Sequence, residues 1–134
     1  MSTVAEVMTR NVVTVRAEST LSEAMACLST QHISGAAVTD HRRKLIGVVS
    51  RSDIMDAEAE VQDQEIRGRF LDETLVRDVM TSPALTIGSE IELREAALAM
   101  EYGDVHRLFV ESGGVLVGVV SRSDVSRALA TGRA

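Results

Sequence analysis

Gly47-Val48-Val49-Ser50-Arg51-Ser52-Asp53, GVVSRSD, returns letter for letter as Gly118 to Asp124, 71 residues later. Seven identical letters at one offset point to an internal repeat, and the flanks extend it. Val7-Met8-Thr9 recurs as Val79-Met80-Thr81, and Leu21-Ser22-Glu23-Ala24 recurs as Leu93-Arg94-Glu95-Ala96, both at an offset of 72. The one residue lost between the blocks falls where His41-Arg42-Arg43-Lys44 faces Gly113-Gly114-Val115, between two apolar runs. That is a change in hairpin-turn length, which turns tolerate best.

Working outward from the repeated block, each copy changes its hydrophobic period in the same order. Val12-Val13-Thr14-Val15 is a β-branched run, and Ser19-Thr20 then caps a stretch with apolar residues at Leu21, Ala24, Met25 and Leu28, a helical spacing. Ala36 to Thr39 and Leu45 to Val49 read as strands across a turn, and Ser50 to Ala59 as a closing helix. Copy two repeats the order with Ala84 to Ile87, Ile91 to Met100, Leu108 to Glu111, Val115 to Val120 and Ser121 to Leu129. The predicted fold class is α/β (α+β), two β-α-β-β-α units. One such unit buries too little apolar surface to stand alone, so two copies packed face to face about a pseudo-twofold axis are expected. The expected boundaries are repeat one at 1–60, a charged linker at 61–75 and repeat two at 76–134. Glu58 to Thr74 is expected to continue as helix and solvated linker, with Ile66, Phe70 and Leu71 packing back.

Size and composition narrow the function. A chain of 134 residues suits one domain or two small halves with a shared core. Hydrophobic residues at 45% and charged ones at 25% are those of a folded globular protein. Phe70, Phe109 and Tyr102 are the only aromatics, too few for a platform that stacks single-stranded nucleic acid. A net charge of -6 opposes general binding to phosphate backbones or anionic membranes. No apolar run approaches the roughly 20 residues that span a bilayer, and MSTVAEVMTRN lacks a secretory signal pattern, so a cytoplasmic location is expected. Cys27 is the single cysteine and reads as a buried thiol. The methionines at 8, 25, 55, 80 and 100 read as core and dimer packing.

The repeated block also carries the candidate chemistry. Strand, then S-R-S-D, then helix places Ser50, Ser52 and Asp53, and likewise Ser121, Ser123 and Asp124, where the first helical N–H groups are unpaired and the dipole favours an anion. A carboxylate there can accept two hydrogen bonds from vicinal ribose hydroxyls, while the serines reach ribose or phosphate oxygens. A helix capping box explains the same residues through stability alone, and both readings stand at this point. Other chemistry finds no pattern. His32, His41 and His106 are scattered, Gly113-Gly114 followed by Gly118 lacks the lysine of a P-loop, and no nucleophile has a positioned base. An enzyme is not expected.

Taken together, V-M-T, the β-branched run, L-x-E-A and L-x-G-V-V-S-x-S-D, twice over and across nearly the whole chain, resemble the CBS (cystathionine beta-synthase) repeat. The resemblance implies a Bateman module: regulatory, often dimeric, holding an adenosine-containing ligand such as AMP, ADP, ATP or S-adenosylmethionine in clefts between the repeats. It also implies that His106-Arg107 faces ligand phosphates, for which guanidinium geometry is suited. Copy one carries Ser34-Gly35 at that place, so the two sites are expected to be unequal. The main site is expected to combine Ser121, Ser123, Asp124, His106 and Arg107 with Asn11, Val13, Ile33 and Ser34. The weaker one would combine Ser50, Ser52 and Asp53 with Leu85 and Val105. The partners implied are an adenine nucleotide, a second copy of the chain and an unknown regulated protein. No cofactor and no metal is called for. The rival reading is a ligand-independent dimerisation or docking module.

Overall fold

Short β-branched runs cannot bury a face singly, and in the computed structural model, which describes residues 2–103 and 105–132, they pair into two three-stranded sheets. The outer bounds 1 and 134 expected for the repeats fall on residues outside those described. Elements follow the order α1 (Val4–Val7), β1 (Thr14–Arg16), α2 (Leu21–Gln31), β2 (Gly35–Thr39), β3 (Leu45–Ser50), α3 (Arg51–Ala59) and α4 (Gln64–Glu73). A 3-10 turn at Val76–Asp78 precedes β4 (Thr86–Gly88), α5 (Leu93–Gly103), β5 (Arg107–Ser112), β6 (Val115–Ser121) and α6 (Arg122–Ala130). The first sheet is ordered β1-β2-β3 and the second β4-β5-β6, each with one parallel pair followed by an antiparallel hairpin. Even the irregularity repeats: the register shifts at Val38/Thr39 and again at Val110/Glu111.

The compact units are not the sequence copies. One unit is Val13–Ala84; the other joins Met1–Val12 to Leu85–Ala134. Each copy's leading segment has thus been traded for the other's. In the first unit Thr81 pairs with Val48 through two backbone hydrogen bonds, the N–H of Val48 donating to the Thr81 carbonyl at 2.9 Å and that of Thr81 to the Val48 carbonyl at 2.8 Å. In the second unit Thr9 and Val119 exchange the same pair of bonds at 2.8 and 2.9 Å. Each strap covers the open edge of a three-stranded sheet, whose unpaired backbone groups would otherwise face solvent. The anchors match as well: Val76 N–H donates to Ser19 O at 2.8 Å, and Val4 N–H to Ile91 O at 2.8 Å.

The core of the first unit gathers Leu21, Ala24, Leu28, Val38, Val49, Ile54 and Val76, all at most 1% exposed. Leu93, Ala96, Met100, Val110, Val120 and Val4 do the same in the second. Helix α2 starts at a complete capping box: the Glu23 N–H donates to Thr20 Oγ1 at 3.2 Å, and Thr20 N–H donates to Glu23 Oε1 at 3.1 Å. Hydrogen bonds from the Thr20 backbone N–H, then its hydroxyl, hold the Glu23 carboxyl below its ordinary range.

The linker differs from expectation. Helix α3 stops at Ala59, and Asp63, accepting from the N–H groups of Glu65 and Ile66 at 2.9 and 3.1 Å, starts a separate helix rather than a continuation. Phe70 and Leu71 pack on the core, while Ile66, one turn nearer the start of a helix with no buried residue, is 50% exposed. Met55 is 56% exposed, so it is not a core methionine, and Cys27 is half-buried.

Candidate functional site

Both S-R-S-D blocks fold as strand-to-helix junctions. At the start of α6 the Asp124 N–H donates to Ser121 Oγ at 3.0 Å and the Ser121 N–H donates to Asp124 Oδ2 at 3.1 Å. The start of α3 repeats this, with 3.1 Å from Asp53 N–H to Ser50 Oγ and 3.3 Å from Ser50 N–H to Asp53 Oδ2. The neighbouring hydroxyls lie 3.1 Å apart for Ser50 and Ser52 and 3.2 Å apart for Ser121 and Ser123. Each aspartate is half-buried, with one oxygen held by the cap. The capping reading is therefore correct for both copies, and it consumes only half of each carboxylate.

The strand before the junction is tied to it. Arg51 N–H donates to the Ser34 carbonyl at 2.8 Å, and Arg122 N–H to the His106 carbonyl at 2.6 Å. The structure thus sets Ile33 and Ser34 beside Ser50, Ser52 and Asp53 in the first unit, and Val105, His106 and Arg107 beside Ser121, Ser123 and Asp124 in the second. Asn11 follows Thr9, whose backbone pairs with Val119 on the strand that leads into Ser121, so it belongs with the second junction. Leu85 lies in that unit too, 54% exposed, its carbonyl accepting from Phe109 N–H at 3.4 Å. Val13 opens the first unit.

The outer oxygen of Asp124 has its own neighbour: Oδ1 lies 3.9 Å from Arg127 Nη1. Both side chains line a hollow of about 330 Å³ with Glu6, Val7, Ala128 and Thr131. The preceding arginines are turned elsewhere, Arg122 Nη2 donating to the Val105 carbonyl at 3.0 Å and Arg51 Nη2 to Ser29 Oγ at 3.5 Å. Arg127 and Glu6 were not among the residues singled out from the sequence. The signal for Arg127 was its place three residues after Asp124, one helical turn on. Glu6 had none, because the trade of leading segments does not show in a linear repeat. Among the described residues no group of three or more His, Cys, Asp or Glu is placed to hold a metal ion, and no helix is long and apolar enough to cross a membrane.

A family model for the CBS domain matches residues 4–60 and 76–131. The chain belongs to the CBS domain family. Inosine-5'-monophosphate dehydrogenase of Korarchaeum cryptofilum is 35% identical over 117 residues, 87% of this chain and 22% of that enzyme. The chain spans between 22% and 32% of the length of the first curated relatives it matches, so the likeness to the dehydrogenase concerns its CBS portion. Among solved structures, CBSX2, a CBS-pair protein of Arabidopsis thaliana, in complex with AMP is 27% identical with a TM-score of 0.78, covering 98% of both chains. The CBS domain pair of protein MJ0100, in complex with 5'-methylthioadenosine and S-adenosyl-L-methionine, has a TM-score of 0.77 at 20% identity, covering 97% of both chains, and shares the fold. The two CBS repeats here are those read from GVVSRSD, and each CBS junction carries one half-used carboxylate.

Proposed function

We propose that this CBS pair is a regulatory module that binds an adenosine-containing ligand (AMP, ADP, ATP or S-adenosylmethionine) and performs no chemistry of its own. The two repeats would pack face to face as a Bateman module and close on the ligand. One observation carries the reading: each junction presents a half-buried carboxylate with one oxygen fixed by the cap, beside two serine hydroxyls at a helix start. A ribose diol needs two acceptor sites and a phosphate needs donors, and this junction supplies both. The AMP complex of CBSX2 supports the ligand class.

In the main site Asp124, Ser121 and Ser123 would hold ribose, His106 and Arg107 the phosphate, and Asn11, Val13, Ile33 and Ser34 the adenine side. In the weaker site Asp53, Ser50 and Ser52 would act with Leu85 and Val105. Occupancy would favour one arrangement of the repeats, and a second copy of the chain or a separate regulated protein would read it. The caps are complete without any ligand, which favours a second reading as a ligand-independent docking module.

Thermal melting separates the two. AMP, ATP or S-adenosylmethionine at about 100 times its dissociation constant stabilises the folded chain by about 2.7 kcal/mol, a rise of several degrees in Tm. Asp124→Asn leaves an acceptor for the Ser121 N–H and removes the charge, so it should keep the ligand-free Tm within a few degrees and sharply reduce the rise with AMP or ATP. No rise with any of the three ligands leaves the docking module as the reading.

A further inference from the structure

Overlaid at their offset of 71, the two junctions agree at every position of GVVSRSD and differ at each of the next three, the third of which changes charge: Asp56 in copy one, Arg127 in copy two. Three residues along a helix is one turn, which sets the side chain at that position over the carboxylate before it, with β-carbons about 5–6 Å apart. In the second unit the result is observed, the Arg127 guanidinium 3.9 Å from the Asp124 oxygen that the cap leaves over, both lining one hollow. In the first unit the same step brings a second carboxylate, exposed, toward Asp53. The Arg51 guanidinium, the nearest cation in sequence, is directed to Ser29 Oγ instead.

Two sites built on the same block therefore differ in local charge. Asp124 with Arg127 is close to neutral, with Glu6 the one further carboxylate of that hollow; Asp53 with Asp56 carries about two negative charges and has no arginine at the equivalent position. We propose that this position sorts ligands by charge, Arg127 admitting a phosphorylated nucleoside at the Asp124 junction and Asp56 restricting the Asp53 junction to an uncharged or cationic one. The inference rests on the adenosine-site reading and adds to it a determinant separate from His106 and Arg107. The ion pair is open to solvent, Arg127 being 73% exposed, so its contribution to folding is small. Its effect on a dianionic phosphate is larger, since a charge reversal there changes by two units the charge that the phosphate meets. About tenfold in affinity remains after screening, and it shrinks as salt rises.

Titration calorimetry of the full chain with AMP and with adenosine tests this. Arg127→Asp should weaken AMP about tenfold while changing adenosine less than twofold. Asp56→Arg should strengthen AMP at the Asp53 junction by a similar factor, read in an Asp124→Asn background. Both positions are exposed, and unchanged melting of each variant certifies the fold. An AMP-to-adenosine affinity ratio left unmoved by both reversals, with Asp124→Asn still weakening AMP, overturns charge sorting and leaves the site reading intact. Binding of both ligands that survives Asp124→Asn and Asp53→Asn together overturns the site reading itself, as does failure of the wild-type chain to bind either.

Discussion

Gly47→Ala should destabilise the fold far beyond what one methyl group suggests. A β-carbon on Gly47 would lie 2.7 Å from the carbonyl oxygen of Thr81 and 2.9 Å from the sulfur of Met80. Ordinary carbon-to-oxygen approach is about 3.3 Å or more, so the strap must retreat by roughly half an ångström. The sulfur can swing aside, but the carbonyl belongs to the backbone and carries the Val48–Thr81 pair of bonds at 2.9 and 2.8 Å. Overpacking costs about 1–3 kcal/mol and the strained pair of hydrogen bonds about 1 kcal/mol more, against a gain under about 1 kcal/mol from a stiffer unfolded chain. The net loss is about 2–3 kcal/mol, or about 10 °C in Tm for a chain of this size. Urea and thermal unfolding followed by circular dichroism measure it. Met80→Ala in the same chain should restore only a minor part, because the carbonyl remains. Gly68→Ala is the control: it sits within α4 with nothing within 4 Å of the new atom, and should raise stability by about 0.5–1 kcal/mol. A Gly47→Ala chain that melts at or above wild type would show that the strap does not lie against β3.

Leu28→Ala, at a fully buried position in the first core, should cost about 2–5 kcal/mol by denaturant unfolding, most if the space fails to collapse. Glu23 gives a pH signature: its folded pKa is depressed below the usual 4.5, so its share of stability is complete above the unfolded value and fades as pH falls through the folded one. Melting between about pH 5 and pH 3 should therefore show a smaller acid loss in Glu23→Gln than in wild type, and equal slopes would remove Glu23 from the account.

What was legible in the sequence was whatever is local. The β-α-β-β-α order follows from period and caps, and Thr20, Ser50 and Ser121 cap their helices as their spacing with Glu23, Asp53 and Asp124 implies. The break at Glu60–Asp63 was missed because its signal, Asp63 as a cap, sits among so many charges that no apolar stripe marks the new helix. The exchange of leading segments was missed for a different reason. Val7-Met8-Thr9 and Val79-Met80-Thr81 are equivalent, and a repeat cannot say which copy's segment lies on which sheet when both contacts are alike. Which junction Ser34 serves is subject to the same ambiguity in the sequence, and its carbonyl accepts from the Arg51 N–H.

The pattern of agreement between the copies has a physical sense. Gly47 and Gly118 must lack a side chain because a strap crosses them, a β-carbon on Gly118 lying 2.5 Å from the Met8 sulfur and 2.9 Å from the Thr9 carbonyl. The two valines pack along β3 and β6, Ser50 and Ser121 cap the helices, and Asp53 and Asp124 close the boxes. Five of the seven positions of the identical block thus answer to the fold; the exceptions are the exposed Arg51 and Arg122 and the exposed Ser52 and Ser123, whose hydroxyls only meet the capping serine. Divergence lies beside the block: Ser34-Gly35 against His106-Arg107 on the strand before it, and Asp56 against Arg127 on exposed helix positions after it. Exposed positions flanking a fixed junction are free to differ in charge without cost to stability. Two copies that fold alike and differ there in charge would suit the unequal pair of sites proposed above.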